Sequence, residues 1–133
     1  MRWLSIFLAA GLGGCAYGFS IDERVGSHHR FVAVDSSDQN ELLRVQWADS
    51  DSYSGQRVLG PTISRAGWDS TWLIMEHRAQ DASYRISDKR RYYLFRLRDE
   101  KLFGPYKKDQ FDRQKVRLGV SRQLDFARQF VND

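Results

Sequence analysis

Apolar and polar residues alternate over much of the chain, and this pattern predicts β-strands because successive side chains of a strand point to opposite faces. The clearest strand runs from Arg91 to Arg98, where Tyr93, Phe95 and Leu97 share one side and the residues between them share the other. Alternation and short apolar runs predict about five or six strands in all. The main segments are 31–35, 42–47, 63–68, 72–75 and 91–98, and short apolar pairs at 58–59 and 102–103 lead into the two Gly-Pro dipeptides.

A hairpin is predicted around the polar triplet Asp69-Ser70-Thr71, which has the right length to join two neighbouring strands. Trp68 and Trp72 flank the triplet, and if they face each other across it, their indoles would pack as a cross-strand aromatic pair. Two close tryptophans are also typical of a ligand platform, but their apolar neighbours favour a place in the core. The polar stretch 78–90 that follows predicts a loop.

The hydrophobic period becomes helical from Lys107 onward. Phe111, Lys115 and Leu118 fall on one stripe, and Gly119 is placed to end the helix. Ser121 then has the position of a cap for a second helix, whose apolar stripe would be Leu124, Ala127, Phe130 and Val131. The sequence therefore predicts an α+β fold: a small antiparallel meander of strands with one or two helices at the carboxy-terminal end.

The first fourteen residues have the pattern of a secretory signal peptide. Arg2 provides a positive charge, a run of about ten mostly apolar residues follows, and small glycines close the segment. The apolar run is too short for a permanent membrane span, which takes about 20 residues.

Leu12-Gly13-Gly14-Cys15 contains the only cysteine of the chain and resembles the bacterial lipobox. That resemblance implies cleavage between Gly14 and Cys15, a diacylglycerol on the Cys15 thiol and, in many bacteria, a fatty acyl group such as palmitate on the new amino terminus. Ala16 after the cysteine implies sorting to the outer membrane, facing the periplasm, rather than retention at the inner membrane. The alternative is an ordinary signal peptide with a chance cysteine.

Cleavage at that point would leave a single domain of ordinary size. The predicted organisation is a signal peptide over 1–14, a lipidated cysteine and tether over 15–30 that ends in an edge strand, and one globular domain over 31–133. With its one cysteine carrying lipid, the domain has no disulfide and depends on its hydrophobic core.

Charge is distributed unevenly along the chain. Loss of Arg2 lowers the formal net charge from +4 to +3, but residues 85–117 alone hold twelve lysines and arginines against five acidic residues. The candidate partner surface is Lys89, Arg90, Arg91, Lys107 and Lys108. These residues could contact an acidic protein, anionic lipid or the cell wall, or could form a solvated face. The mild net charge does not indicate nucleic acid.

No catalytic, metal or cofactor motif is recognisable in the sequence. His28 and His29 are adjacent, so in a strand they would point to opposite faces, and a pair of solvated loop histidines is the favoured interpretation. Glu76-His77 could act as an acid–base pair but is more typical of an exposed strand end. We therefore expect no enzyme activity, no cofactor and no metal site.

Two stretches are similar to small uncharacterised bacterial lipoproteins. They are Gly60-Pro61 with Ala66-Gly67-Trp68-Asp69 and the strand Trp72 to Met75, and Gly104-Pro105 with Phe111 and Leu118-Gly119-Val120. The shared pattern is a Gly-Pro turn, a helix and a Leu-Gly ending. The resemblance implies a sheet of few strands with a carboxy-terminal helix.

Two functions from different classes follow. The first is a membrane-anchored periplasmic lipoprotein that acts as a small protein-binding module, of inhibitor or immunity type, with an acidic protein as partner. The second is an envelope-maintenance lipoprotein that contacts anionic lipid or cell wall and has no discrete protein target.

Overall fold

The computed structural model describes residues 21–34, 36–49 and 52–132. Within them lie nine strands, a short 3-10 turn at Ser37–Gln39 and one α-helix. The strands are β1 (Ile21–Val25), β2 (His29–Ala33), β3 (Glu41–Trp47), β4 (Tyr53–Leu59), β5 (Ile63–Trp68), β6 (Trp72–Gln80), β7 (Ile86–Arg96), β8 (Lys101–Tyr106) and β9 (Arg128–Gln129). The helix, α1, is Lys108–Leu118.

The strands form two antiparallel sheets instead of the single meander predicted. The smaller sheet has the order β1-β2-β3-β4, and the larger has the order β8-β7-β6-β5-β9. Eight strands follow one another as hairpin neighbours within their sheets, and only β9 returns from the chain end to pair with β5. The fold is mainly β, with one helix added.

A first hydrophobic core lies between the two sheets. The smaller sheet contributes Val25, Phe31 and Leu42, and the larger sheet contributes residues such as Leu73 and Phe95. All five are at most 1% exposed. On β3, alternation along 42–47 predicts that Leu43, Val45 and Trp47 share the buried face, but Leu42 enters this core. The pairing of β3 with β4 shifts register between Leu42 and Leu43, which accompanies the difference.

A second core covers the opposite face of the larger sheet. Ile74 and Leu94 meet Phe111 of α1 there, and Tyr92 stacks on Phe111 with ring centroids 5.2 Å apart. Because both faces of the larger sheet are covered, residues 72–76 of β6 are all buried. The predicted division of residues 91–98 into two faces is confirmed, although β7 ends at Arg96: Tyr93, Phe95 and Leu97 pack in the first core, and Tyr92 and Leu94 belong to the second.

The single helix ends where the sequence predicted. Gly119 adopts a left-handed conformation (φ 77°), and the cap backbone donates to the carbonyls of Lys115 and Val116. Phe111 is fully buried, as its stripe position predicted, while Val116 is 74% exposed.

The predicted second helix after Ser121 is wrong. The Ser121 hydroxyl accepts from the amide of Gln123, so it stabilises one turn and no helix follows. Leu124 and Phe126 pack on the second core, and Phe130 reaches the first. Contacts with two different layers require an extended chain, since a helix would keep these side chains on one side.

Two further predictions are corrected by strand register. Trp68 pairs with Leu73, so Trp72 lies on the opposite face of the sheet and the two indoles do not meet. Trp68 packs against the first core and Trp72 belongs to the second. The stretch 78–90 is mostly strand: β6 extends to Gln80, β7 begins at Ile86, and the loop between them is short.

The segment predicted as a tether contributes to the fold. Its residues 21–25 form β1, an edge strand that pairs with β2 over five positions. The predicted signal peptide, the Gly14–Cys15 cleavage site and the lipid attachment at Cys15 lie outside the described residues. Among the described residues, the helix lacks the length and apolar character needed to cross a bilayer.

Candidate functional site

A β-bulge in β5 creates a polar cluster on the helix-side face of the larger sheet. Ile63 pairs with His77 and Arg65 pairs with Glu76, so Ser64 is an extra residue between them. Bulges re-aim the side chains around them. Here Ser64 and Arg65 both reach Glu76 on the neighbouring strand.

Glu76 is the centre of this cluster and is fully buried. Arg65 binds it with two nitrogens, Nη2 to Oε2 at 2.6 Å and Nε to Oε1 at 3.2 Å. The hydroxyl of Ser64 donates to Oε1 at 2.7 Å, and the hydroxyl of Tyr92 donates to Oε2 at 3.2 Å. Arg90 Nε lies 3.5 Å from Oε1. Both carboxylate oxygens are therefore surrounded by donors.

These donors keep Glu76 ionised. Burial would raise its pKa, but the hydrogen bonds from Arg65 and Ser64 and the charge of Arg65 outweigh burial and hold the pKa below its ordinary value. Burial, followed by the charge of Glu76, raises the pKa of Tyr92. The site thus contains a fixed negative charge that orients two guanidinium groups.

A third arginine extends the cluster along the same face. Arg78 follows Glu76 by two positions on β6 and lies directly across from Arg90 on β7. It is only 7% exposed. Its Nε donates to the carbonyl of Ser87 at 2.9 Å, and its Nη2 lies 3.5 Å from Oδ1 of Asp88.

The basic residues predicted as a partner surface lie at one end of the larger sheet. Tyr92 pairs with Tyr106, so the residues just before Tyr92 and just after Tyr106 share that end of the β7–β8 pair. We call them the basic rim: Lys89, Arg90, Arg91, Lys107 and Lys108.

The rim residues differ in their surroundings. Lys89, Lys107 and Lys108 are exposed, while Arg90 and Arg91 are half-buried on opposite faces of β7. Arg90 contacts Glu76, and Arg91 donates to the carbonyl of Arg90. Lys108 pairs with Asp112 one turn along α1. The exposed part of the predicted surface is therefore lysine.

A second polar cluster joins the two sheets at their other end. His29 is 2% exposed, packs edge-on against Phe95 and lies 3.3 Å from Glu100, which also binds Arg44. The prediction of a solvated histidine pair is wrong for His29, because β2 turns its side chain into the first core, although His28 is exposed. A cavity of about 330 Å³ opens beside the two histidines.

The arginines around Glu76 are suited to anion binding and ion pairing. Guanidinium groups match carboxylate and phosphate oxygens in a planar fork. Within residues 21–34, 36–49 and 52–132, histidine, cysteine, aspartate and glutamate form no group of three or more that could hold a metal ion.

The sequence analysis named Arg90 as a candidate residue but did not identify Arg65 or Arg78, the other two arginines of the polar cluster. One signal was present: Glu76 and Arg78 continue the alternation of Trp72 and Ile74, which places two charges on an otherwise apolar face. The bulge that brings Arg65 to Glu76 has no visible signature in the sequence.

A family model described as "Protein of unknown function (DUF3997)" matches residues 29–129. The chain belongs to this family. The match begins with β2 and ends with β9, so the DUF3997 region includes the polar cluster around Glu76, Arg78 and the basic rim. No curated protein and no solved structure matches the chain.

Proposed function

We propose that this DUF3997 protein is a membrane-anchored periplasmic lipoprotein whose domain captures an acidic protein partner and acts by binding rather than catalysis. The observation that carries the proposal is the clustering of the basic rim at one end of the larger sheet. The anchor is argued separately, from the sequence Leu12-Gly13-Gly14-Cys15.

Lipid on Cys15 would hold the domain at the bilayer surface. Each buried methylene of an acyl chain contributes about 0.8 kcal/mol, and stable anchoring takes more than one chain. The lipobox resemblance implies a diacylglycerol on the thiol, which supplies two chains. The first strand, β1, begins only six residues after Cys15, so the domain would stay close to the membrane.

Three exposed lysines of the rim are suited to an acidic partner. Lys89 lies on β7, and Lys107 and Lys108 lie at the start of α1; side chains of both elements belong to the second core, which holds them in place. Complementary charge accelerates encounter and selects against basic partners. Most of the affinity would come from desolvated contacts at the centre of the interface.

The anchor is tested by mass spectrometry and fractionation of the protein made in a Gram-negative host. We expect the mature chain to begin at Cys15 with acyl mass on the sulfur, and the Cys15→Ser variant to leave the membrane fraction. Retention of the initiator methionine, or an unmodified Cys15 thiol, would contradict the anchor.

The binding module is tested by affinity capture from envelope extract with the lipidated protein in non-ionic detergent. We expect a specific acidic protein whose recovery falls at least tenfold, about 1.4 kcal/mol, in the triple variant Lys89→Glu, Lys107→Glu, Lys108→Glu. Arg90 is left intact because a glutamate there would face the buried Glu76.

The matched control changes three exposed basic residues elsewhere, as Arg98→Glu, Lys101→Glu, Arg122→Glu. It alters the net charge equally and should retain the partner. Equal loss in both triple variants would show attraction by net charge alone. Recovery of no specific protein, with wild-type binding to anionic vesicles or wall fragments, would support the envelope-maintenance alternative.

A further inference from the structure

Arg78 is a buried cation with an incomplete set of partners. Its Nε is satisfied by the Ser87 carbonyl at 2.9 Å, and its Nη2 has a long contact of 3.5 Å with Asp88. Its Nη1 is buried and has no hydrogen-bond partner among the described residues. Buried donors are almost always paired, so this nitrogen requires an explanation.

Arg90 places a second guanidinium on the same face. Like charges that face each other directly across two strands repel. Arg78 and Arg90 are such a pair, and each turns to another partner, Arg90 to Glu76 and Arg78 to Ser87 and Asp88. The next residue along β7, Lys89, points to the opposite face of the sheet because side chains alternate along a strand, so the two arginines share their face without it.

Asp88 is a weak partner for the end of the Arg78 side chain. The Asp88 side chain is fully exposed, so water weakens its pairing with Arg78 and little holds it in place. Movement of Asp88 would free Nη2, which lies beside the unpaired Nη1 at the end of the guanidinium fork.

We propose that Arg78, supported by Arg90, binds a phosphoryl oxyanion in the position taken by Asp88. Two oxygens of the phosphoryl group accept from Nη1 and Nη2 in the bidentate geometry that guanidinium favours. A phosphoryl group carries up to two negative charges and several acceptor oxygens, which suits a site with two facing arginines better than a single carboxylate does.

This inference goes beyond the proposed function and stands separately from it. The ligand is recognised by its phosphoryl chemistry and could come from free phosphate or from the headgroup of an anionic lipid. Capture of an acidic protein depends on the exposed lysines, whereas this site depends on Arg78, so either proposal can fail alone.

The test uses the full lipidated chain in non-ionic detergent, with calorimetric titration and thermal unfolding at constant ionic strength. The probes are inorganic phosphate, acetate and dihexanoyl phosphatidic acid below its micelle concentration. We expect phosphate to bind saturably and to raise the unfolding temperature, and acetate to do so at least tenfold more weakly.

Asp88→Asn is the decisive variant, because it removes the competing carboxylate from an exposed position and leaves the fold intact. We expect it to bind phosphate about tenfold more tightly. Its control is Asp109→Asn, which changes the net charge equally at another exposed acid and should leave phosphate affinity unchanged.

Arg78→Lys retains the positive charge but loses the planar guanidinium fork, so we expect it to weaken phosphate binding about tenfold. Its control is Arg85→Lys at an exposed arginine, which should leave phosphate binding unchanged.

Tighter binding of dihexanoyl phosphatidic acid than of phosphate would assign the site to a lipid headgroup, and the reverse to free phosphate. No saturable phosphate binding, equal binding of acetate, or an unchanged affinity in Asp88→Asn would overturn the proposal.

Discussion

Glu76 shows how a single residue can be recognised in the sequence while its role cannot. Its place within β6, two positions after Ile74, is visible from alternation. Its closest charged and hydroxyl partners are Arg65 and Ser64 on β5, eleven and twelve positions earlier in the chain. They lie at a β-bulge that is visible only in the folded sheet. The sequence interpretation of Glu76-His77 as an exposed strand end is therefore wrong for Glu76.

Substitution of Glu76 tests the cluster. Glu76→Gln removes the charge that compensates Arg65 and Arg90, and we expect it to lower the free energy of unfolding by about 3 kcal/mol, because breaking a buried ion pair leaves its partners unpaired. Urea denaturation measures this loss.

Asp99→Asn is the control, since it removes a carboxylate from an exposed pair with Arg96. A loss for Glu76→Gln no larger than that for Asp99→Asn would show that the buried charge is not important for stability.

At the scale of elements, the chain after α1 is where local pattern and structure disagree most. Its apolar residues have a spacing that predicts a helix, yet Arg128–Gln129 pair as β9 with Arg65 and Ala66. The backbone of Asp125 packs directly on Gly67 of β5, where a Cβ atom would come within 1.7 Å of the Asp125 carbonyl oxygen. Tertiary contact with an edge strand outweighs helix pattern here.

Gly67→Ala is expected to expel this segment. A methyl group cannot share the position of a backbone oxygen, so we predict a loss of about 3 kcal/mol and faster hydrogen exchange at the β5 amides facing β9. Gly55→Ala is the matched control, because its Cβ would meet only the end of the Leu43 side chain, which can move. Similar losses in the two variants would argue against a specific role for the Asp125 contact.

At the scale of the whole molecule, the larger sheet is the middle of three layers. The smaller sheet covers one face and α1, with the carboxy-terminal segment, covers the other. Ion pairs also connect distant parts of the chain: Arg44 and His29 of the smaller sheet meet Glu100 in the β7–β8 turn, and Arg128 of β9 binds Glu23 of β1.

His29 gives the whole molecule a predicted pH dependence. Burial lowers its pKa from the ordinary value of 6.5, and the charge of Glu100 opposes this only in part. The unfolded chain therefore takes up a proton at a higher pH than the folded chain does. Stability should be greatest above pH 6.5 and should fall as the pH drops from there toward the lower folded pKa.

Denaturation at several pH values between about 7.5 and 5 tests this expectation. His29→Phe should flatten the pH dependence in that range, because no imidazole remains to be protonated on unfolding. His28→Gln, at the exposed neighbour, should retain it. A wild-type stability that rises on acidification through this range would contradict the assignment.

The sequence by itself determined those features of the fold that depend only on residues close together in the chain. The two faces of β7, the helix ending at Gly119 and the hairpin turn at 69–71 follow from side-chain period and glycine geometry, which act over a few residues. Tertiary structure alone decided the number of sheets, which faces became core, the separation of Trp68 from Trp72, and the cluster of Arg65, Glu76, Arg78 and Arg90. These features depend on strand register and bulges, which are set by pairing between residues that are distant in sequence, so no local pattern contains them.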